Sequence, residues 1–268
     1  MTPYPRFVAV LVMLLIGGCT SMPQSQQVAA AQGNYSFVVA GEGLPVVVFE
    51  AGLGDGKSSW RPVFAELAKT SRVFAYDRAG YGNSSSNSVD RSAGQIVREL
   101  HDLLQAVGTP PPYVLVGHSL GGTYVGLFAR TYPAEVAGVV LIDARHEDFS
   151  ARCKMEQAHM CEPPDFLVSA MPGAAPREFA QVAETMQQVR AAGTFPPVPL
   201  AVLTGTRKLI EGPAFNKVWL ETQRDLSRMS PAGQHIVCTR CGHYVHKDDP
   251  KLVIQAIRDV VQQAAPGN

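Results

Sequence analysis

The sequence is short of charge: Asp, Glu, Lys and Arg make up 17% of its 268 residues, and 23 basic residues cancel 23 acidic ones. With no net charge and no basic block, binding to nucleic acid is excluded as a working expectation. Hydrophobic residues reach 46%, so the chain has the composition of a folded protein and not of a disordered one. Long apolar runs are also missing. Phe7 to Ile16 is unbroken, but it is about half of the roughly 20 residues needed to cross a bilayer. No internal repeat and no second domain boundary is evident, and one domain of this length can bury a large core.

Cysteine is scarce, five residues in all, and its placement is informative. Arg6, the short apolar run and the small residues that follow it read as a secretory signal over 1–18. Ile16-Gly17-Gly18-Cys19 resembles a bacterial lipobox, which makes Cys19 the candidate lipidation site; the bland reading is an ordinary signal with Cys19 nearby by chance. Lipidation implies an exported protein held at the membrane of a bacterial cell envelope, because two or three acyl chains anchor almost permanently. The Gln-, Ala- and Ser-rich residues that follow suggest a flexible tether over 19–33, with a single domain from 34 to 268. Four cysteines remain, Cys153, Cys161, Cys238 and Cys241, and in an exported chain they are expected to form disulfides, local or crossed. Cys238-x-x-Cys241 followed by His243 and His246 also permits a zinc reading, but no second ligand pair follows and His243 is better employed elsewhere; no metal or cofactor is expected.

Short β-branched runs at 45–50, 72–76, 113–117, 136–142, 200–204 and 234–237 read as strands buried on both faces. Between them lie helical stripes. One runs over Ile96, Val97, Leu100, Leu103, Leu104 and Val107, opened by Ser92 with Gln95 as a capping box. Another spans about 214–229, and a last helix starts at Asp249-Pro250. The alternation predicts an α/β fold, a mostly parallel sheet with helices on both faces, whose active site lies at the carboxyl ends of the strands.

At one such end stands Gly117-His118-Ser119-Leu120-Gly121-Gly122, with a strand before it and a helix after it. A serine at a strand-to-helix turn of this kind is held in a strained conformation that exposes its hydroxyl, while the flanking glycines permit close packing. Ser119 is therefore the candidate nucleophile. An alcohol needs a base at neutral pH, and His243, in a loop after the last strand, is preferred over His246. His118 is read as a packing residue of the turn.

With these residues the sequence resembles an α/β-hydrolase from about Tyr35 to Val261. Glu50-Ala51-Gly52-Leu53-Gly54 resembles the family's oxyanion loop, although many relatives carry histidine where Ala51 stands. Tyr76-Asp77-Arg78-Ala79-Gly80-Tyr81-Gly82-Asn83-Ser84 resembles the turn after the next strand, with Asp77 and Arg78 as a structural brace. The serine turn is the third segment and Cys241-Gly242-His243-Tyr244 the fourth. The resemblance implies a Ser-His-acid triad with the backbone N–H groups of Leu53 and Leu120 as oxyanion donors.

The usual acid position, after the strand at 200–204, has no aspartate. Asp143, at the end of the neighbouring strand, is preferred; Glu211 is the alternative, followed by Glu147, Asp148 and Asp225. The stretch at about 149–197 is too long for a plain connection and is expected to form a small helical cap over an apolar pocket. The expected activity is cleavage of a small-molecule or lipid carboxylic ester through an acyl-enzyme. A peptidase or amidase of the proline-iminopeptidase type is the second reading, with Glu156, Glu162 or Asp165 receiving a free amine. A non-catalytic binding protein is the third. Dehalogenase chemistry, which puts aspartate at the turn, is disfavoured by Ser119.

Overall fold

The computed structural model describes residues 22–207 and 212–265. Its strands are β1 (Gln26–Ala30), β2 (Gly33–Ala40), β3 (Val46–Glu50), β4 (Val73–Tyr76), β5 (Tyr113–His118), β6 (Val136–Ile142), β7 (Leu200–Gly205) and β8 (Gly233–Cys238). They form one sheet in the order β1-β2-β4-β3-β5-β6-β7-β8, antiparallel at β1-β2-β4 and parallel from there on. The helices are α1 (Arg61–Leu67), α2 (Ala93–Ala106), α3 (Leu120–Thr131), α4 (Phe149–Met155), α5 (Asp165–Ser169), α6 (Ala175–Ala180), α7 (Val182–Ala191), α8 (Gly212–Ser227), α9 (Val245–Asp248) and α10 (Pro250–Gln263).

The strands are apolar throughout because both faces are covered. In β3, Val46 and Val48 join the core that holds α2 and α3, while Val47 and Phe49 join the core beneath α1 and α10. β5 repeats the alternation with Leu115 on the first face and Val114 and Val116 on the second. Period-two alternation between two apolar layers is what a sheet buried on both sides requires.

Two local expectations are corrected. The described part of the 19–33 tether is not free chain: Gln26–Ala30 is an edge strand, paired with β2 from Gln26 opposite Phe37 to Ala30 opposite Gly33. Val28 and Ala30 point alternately into the core above α2, and that burial orders the segment. The strand β2, which had no counterpart among the runs read from sequence, supplies the pairing. The capping box at Ser92 does not form either. The Ser92 side chain makes no cap bond, and the Gln95 amide donates to Glu99. The first two amides of α2 donate instead to α7, Ala93 to Thr185 Oγ1 at 3.1 Å and Gly94 to Gln188 Oε1 at 2.7 Å. Orphan N–H groups of a helix start need acceptors, and a distant helix provides them here. Asp249 does cap α10, its carboxylate accepting from Leu252 N.

Helices α4 to α7 all lie between β6 and β7, the place expected for the cap. The two disulfides are local, Cys153 with Cys161 inside this cap and Cys238 with Cys241 at the end of β8. With their sulfurs joined, Cys238 and Cys241 offer no thiolates for a zinc site. Among the described residues no helix is long and apolar enough to cross a membrane. The segment expected to be a signal, Cys19 and Glu211 lie outside the described residues.

Candidate active site

Ser119 sits between β5 and α3 with φ 54° and ψ −123°. An L-residue in this left-handed region is strained by about 1–3 kcal/mol, and it persists because its surroundings hold it. Its N–H donates to Ile142 O, and its carbonyl accepts from Gly122 N and Arg145 N. Close packing demands the glycines around it: a Cβ at Gly117 would lie 2.6 Å from the backbone of Gly121 and Gly122, and one at Gly121 would lie 2.4 Å from Ala51 O. The serine turn is thereby pressed against the loop after β3.

Asp143 follows β6, the strand next to β5, and also has positive φ, 45°. It is completely buried. His243 Nδ1 donates to its Oδ2 at 2.6 Å, while Oδ1 accepts from Trp219 Nε1 at 2.8 Å and Gly205 N at 3.2 Å. Donors on both oxygens favour the ionised carboxylate and offset the cost of burying it. The bond fixes the histidine tautomer with its proton on Nδ1, which leaves Nε2 as the basic nitrogen. Glu147, Asp148 and Asp225 take other partners: Glu147 lies beside His146, Asp148 pairs with Arg190, and Asp225 pairs with Arg152.

Ser119 and His243 line one cavity of about 360 Å³. Among the described residues the Ser119 hydroxyl makes no hydrogen bond, so none joins it to His243, although both residues line the cavity. Unliganded catalytic pairs are often loose in this way and tighten around substrate. Leu53 and Leu120 line the same cavity. Leu120 is the first residue of α3, where an N–H has no acceptor within the helix. A Cβ at Gly52 would lie 3.2 Å from Ser119 Cβ, which brings this loop against the serine. Phe149, Phe179, Phe215, Met160 and Met171 make the remaining wall mostly apolar. A larger cavity of about 700 Å³ lies behind the loop, at Gly54, Lys57 and Asp77, and contains neither Ser119 nor His243.

The rival histidine is placed elsewhere. His246 is fully buried, its Nε2 3.1 Å from Ser59 Oγ and its ring 4.6 Å from that of Trp60; burial pushes its pKa down to about 3. His118 packs between His243 and His246 and holds the His243 carbonyl through Nε2 at 3.0 Å. Burial holds its pKa well below the histidine range. Both rings are neutral struts beneath His243.

Two features had no signal in the sequence. Trp219, on α8, is a second clamp on Asp143 from 76 residues away. Arg78 is more than a brace for a glycine turn. It contacts the carbonyls of Ala51 and Gly52 and the carboxylates of Glu50 and Glu178, and the last of these comes from the cap. Asp77 does act as a brace, binding the Lys57 ammonium and the Asn83 amide.

Known proteins agree with this architecture. YqjL, an uncharacterized protein of Bacillus subtilis, is 30% identical over 226 residues, which is 82% of this chain and 86% of YqjL. A thermophilic esterase from Thermogutta terrifontis superposes with a TM-score of 0.67 at 24% identity, over 90% of this chain and 99% of the esterase. An epoxide hydrolase mutant from Vigna radiata gives a TM-score of 0.70 at 16% identity, over 89% and 98%. At these identities the structures speak for the fold alone. The sequence model of the alpha/beta hydrolase family matches residues 47–256, and with the sheet order and turn described above this chain belongs to that family.

Proposed function

We propose that this hydrolase cleaves carboxylic esters through an acyl-enzyme on Ser119, with His243 as general base and Asp143 as the triad acid. The observation that carries the reading is the 2.6 Å bond from His243 Nδ1 to Asp143 Oδ2, at the edge of the cavity that Ser119 also lines. Ser119 Oγ attacks the ester carbonyl carbon and its proton passes to His243 Nε2. The buried Asp143 carboxylate stabilises the imidazolium that forms. The carbonyl oxygen becomes an oxyanion facing the N–H groups of Leu53 and Leu120, each such donor lowering the barrier by about 2.7–4 kcal/mol. Collapse expels the alcohol, which takes the proton from His243. A water molecule, deprotonated by the same nitrogen, then attacks the acyl carbon and releases the acid.

An ester is favoured over a peptide with a free amine because two of the three candidate cap carboxylates are already engaged and the third, Asp165, is exposed at the surface. Glu162 accepts from Arg145 at 2.6 Å and Glu156 pairs with Lys217 at 2.9 Å. The apolar wall suits an acyl or alkyl group. A fluorophosphonate probe is expected to label the protein, and Ser119→Ala to abolish labelling and turnover of p-nitrophenyl esters. Strong labelling of the alanine variant removes the assignment, and faster cleavage of a proline anilide than of the ester turns it to the peptidase reading.

We further propose export and lipid anchoring through Cys19, which would present the domain to esters at the cell envelope. Metabolic labelling with a fatty acid that is lost in Cys19→Ser supports this; labelling that persists in the variant rejects it.

A further inference from the structure

The loop bearing Leu53 contains Ala51, Gly52 and Gly54, and its polar groups are held from one side. Arg78 Nη1 donates to Ala51 O at 2.6 Å, and Arg78 Nη2 donates to Gly52 O at 2.9 Å. Gly54 N donates to the Tyr81 hydroxyl at 3.5 Å. Both holders converge on one carboxylate. Glu178 accepts Arg78 Nε on Oε1 and Arg78 Nη2 on Oε2, each at 2.9 Å, and Oε2 also accepts the Tyr81 hydroxyl at 2.9 Å. Glu178 is completely buried, and it belongs to α6 of the cap, 100 residues from Arg78. The Arg78 guanidinium is also tied to Glu50 and lies 4.7 Å over the Tyr81 ring.

The chemistry of the peptide unit gives this arrangement a function. Gly52 O and Leu53 N–H belong to the same peptide group, and in a trans peptide they point in opposite directions. A cation fixed on the carbonyl side therefore sets where the N–H points and draws electrons from it, which strengthens the donor. A bidentate carboxylate fixes the guanidinium plane in turn. We propose that Glu178 is the positioning residue of the oxyanion hole: through Arg78 and Tyr81 it suspends the 51–54 loop so that Leu53 N–H faces the oxygen developing charge beside Ser119. The inference rests on the ester-hydrolase reading and adds to it a cap that completes the catalytic site as well as covering it.

The test is steady-state kinetics on p-nitrophenyl acetate for wild type, Glu178→Gln, Arg78→Lys and Tyr81→Phe, with thermal unfolding as the check of fold. Misdirecting one oxyanion donor costs on the order of 10²-fold, so Glu178→Gln and Arg78→Lys are expected to lower kcat roughly 10- to 100-fold with KM within about threefold. Tyr81→Phe removes one tie without leaving a charge unpaired, and is expected to lower kcat by about threefold to tenfold.

A second readout separates this role from mere support. An aryl trifluoromethyl ketone captured by Ser119 carries an oxyanion, whereas the matching methyl ketone stays a neutral ground-state mimic. The variants are expected to lose affinity for the first and keep it for the second. Equal losses for both ketones, unchanged kcat, or failure of all three variants to fold overturns the proposal. Failure of the wild type to react with a fluorophosphonate is a different outcome, and it overturns the ester-hydrolase reading beneath.

Discussion

Trp219 donates its indole N–H to Asp143 at 2.8 Å, on the carboxylate oxygen opposite the one that receives His243. Asp143, the proposed triad acid, is thus held between two side chains from separate parts of the chain, and the tryptophan ring also lies edge-on to His243 at 6.2 Å. A carboxylate so pinned can orient an imidazole without turning.

Trp219→Phe keeps the packing against Phe149 and Phe215 and deletes only the donor. A hydrogen bond to a charged group contributes about 1.5–3 kcal/mol, and an unfolding free energy lower by about that amount is expected. Without that donor the carboxylate keeps Gly205 N on Oδ1 and His243 on Oδ2 but turns more freely, and a fall in kcat of about threefold to tenfold is expected. Ester kinetics of the variant check this, and an unchanged kcat contradicts the role given to Trp219.

Asp143→Asn tests the acid itself. The substitution preserves shape but forces the imidazole toward the wrong tautomer, and a loss of roughly 10⁴ in kcat is expected. Glu211→Gln is expected to leave kcat within about threefold, because the acid's position is already filled. Ester turnover by the two purified variants decides between them, and a crippled Glu211→Gln enzyme would reverse the assignment.

The parts of the site that sequence made legible are those tied to backbone geometry. Ser119 was marked by its glycines, whose Cβ atoms would strike backbone at 2.4–2.6 Å, so the residue types are forced. His243 was marked by its loop between a strand and a capped helix. Asp143 was preferred as the end of the strand beside that of Ser119, and only the fold supplied its contact with His243. Arg78 with Glu178, and Asp143 with Trp219, left no local trace, because no periodicity links side chains 100 and 76 residues apart. The same reason hid the start of α2, whose amides are satisfied by α7 rather than by Ser92. For β1, Gln26, Gln27 and Ala29 around Val28 and Ala30 gave too weak an alternation to read. The partner strand β2 makes it a strand.

Acid should unfold the protein through the two buried rings under the site. The pKa of His246 is pushed down to about 3, and burial lowers that of His118 as well, whereas in the unfolded chain both return to roughly 6.5. Below that unfolded value the unfolded state binds more protons, so the stability they contribute is complete above about pH 6.5 and falls as pH drops toward the folded values. Each ring contributes a slope of about 1.4 kcal/mol per pH unit. His246→Phe, which can still stack on Trp60, is expected to remove one ring's share between about pH 4 and 6. Urea unfolding at several pH values measures this, and an unchanged slope would show that His246 does not titrate on unfolding.

The conformation of Ser119 leads to a last expectation. Ser119 has φ 54°, a region that glycine enters without the steric cost a Cβ brings. Ser119→Gly deletes the hydroxyl and abolishes turnover, yet it should stabilise the fold. Relief of about 1–3 kcal/mol of strain exceeds the roughly 0.5–1 kcal/mol that glycine adds in unfolded-chain entropy. A net gain near 1 kcal/mol corresponds to a rise in Tm of about 2–4 °C for a domain of this size. Ser119→Ala is the control: it is equally inactive but keeps the Cβ, so it should melt close to wild type. If alanine and glycine raise Tm equally, the gain comes from removing the hydroxyl and the turn stores no strain; if only glycine does, the strain belongs to the backbone and is the cost of presenting a serine at a strand end.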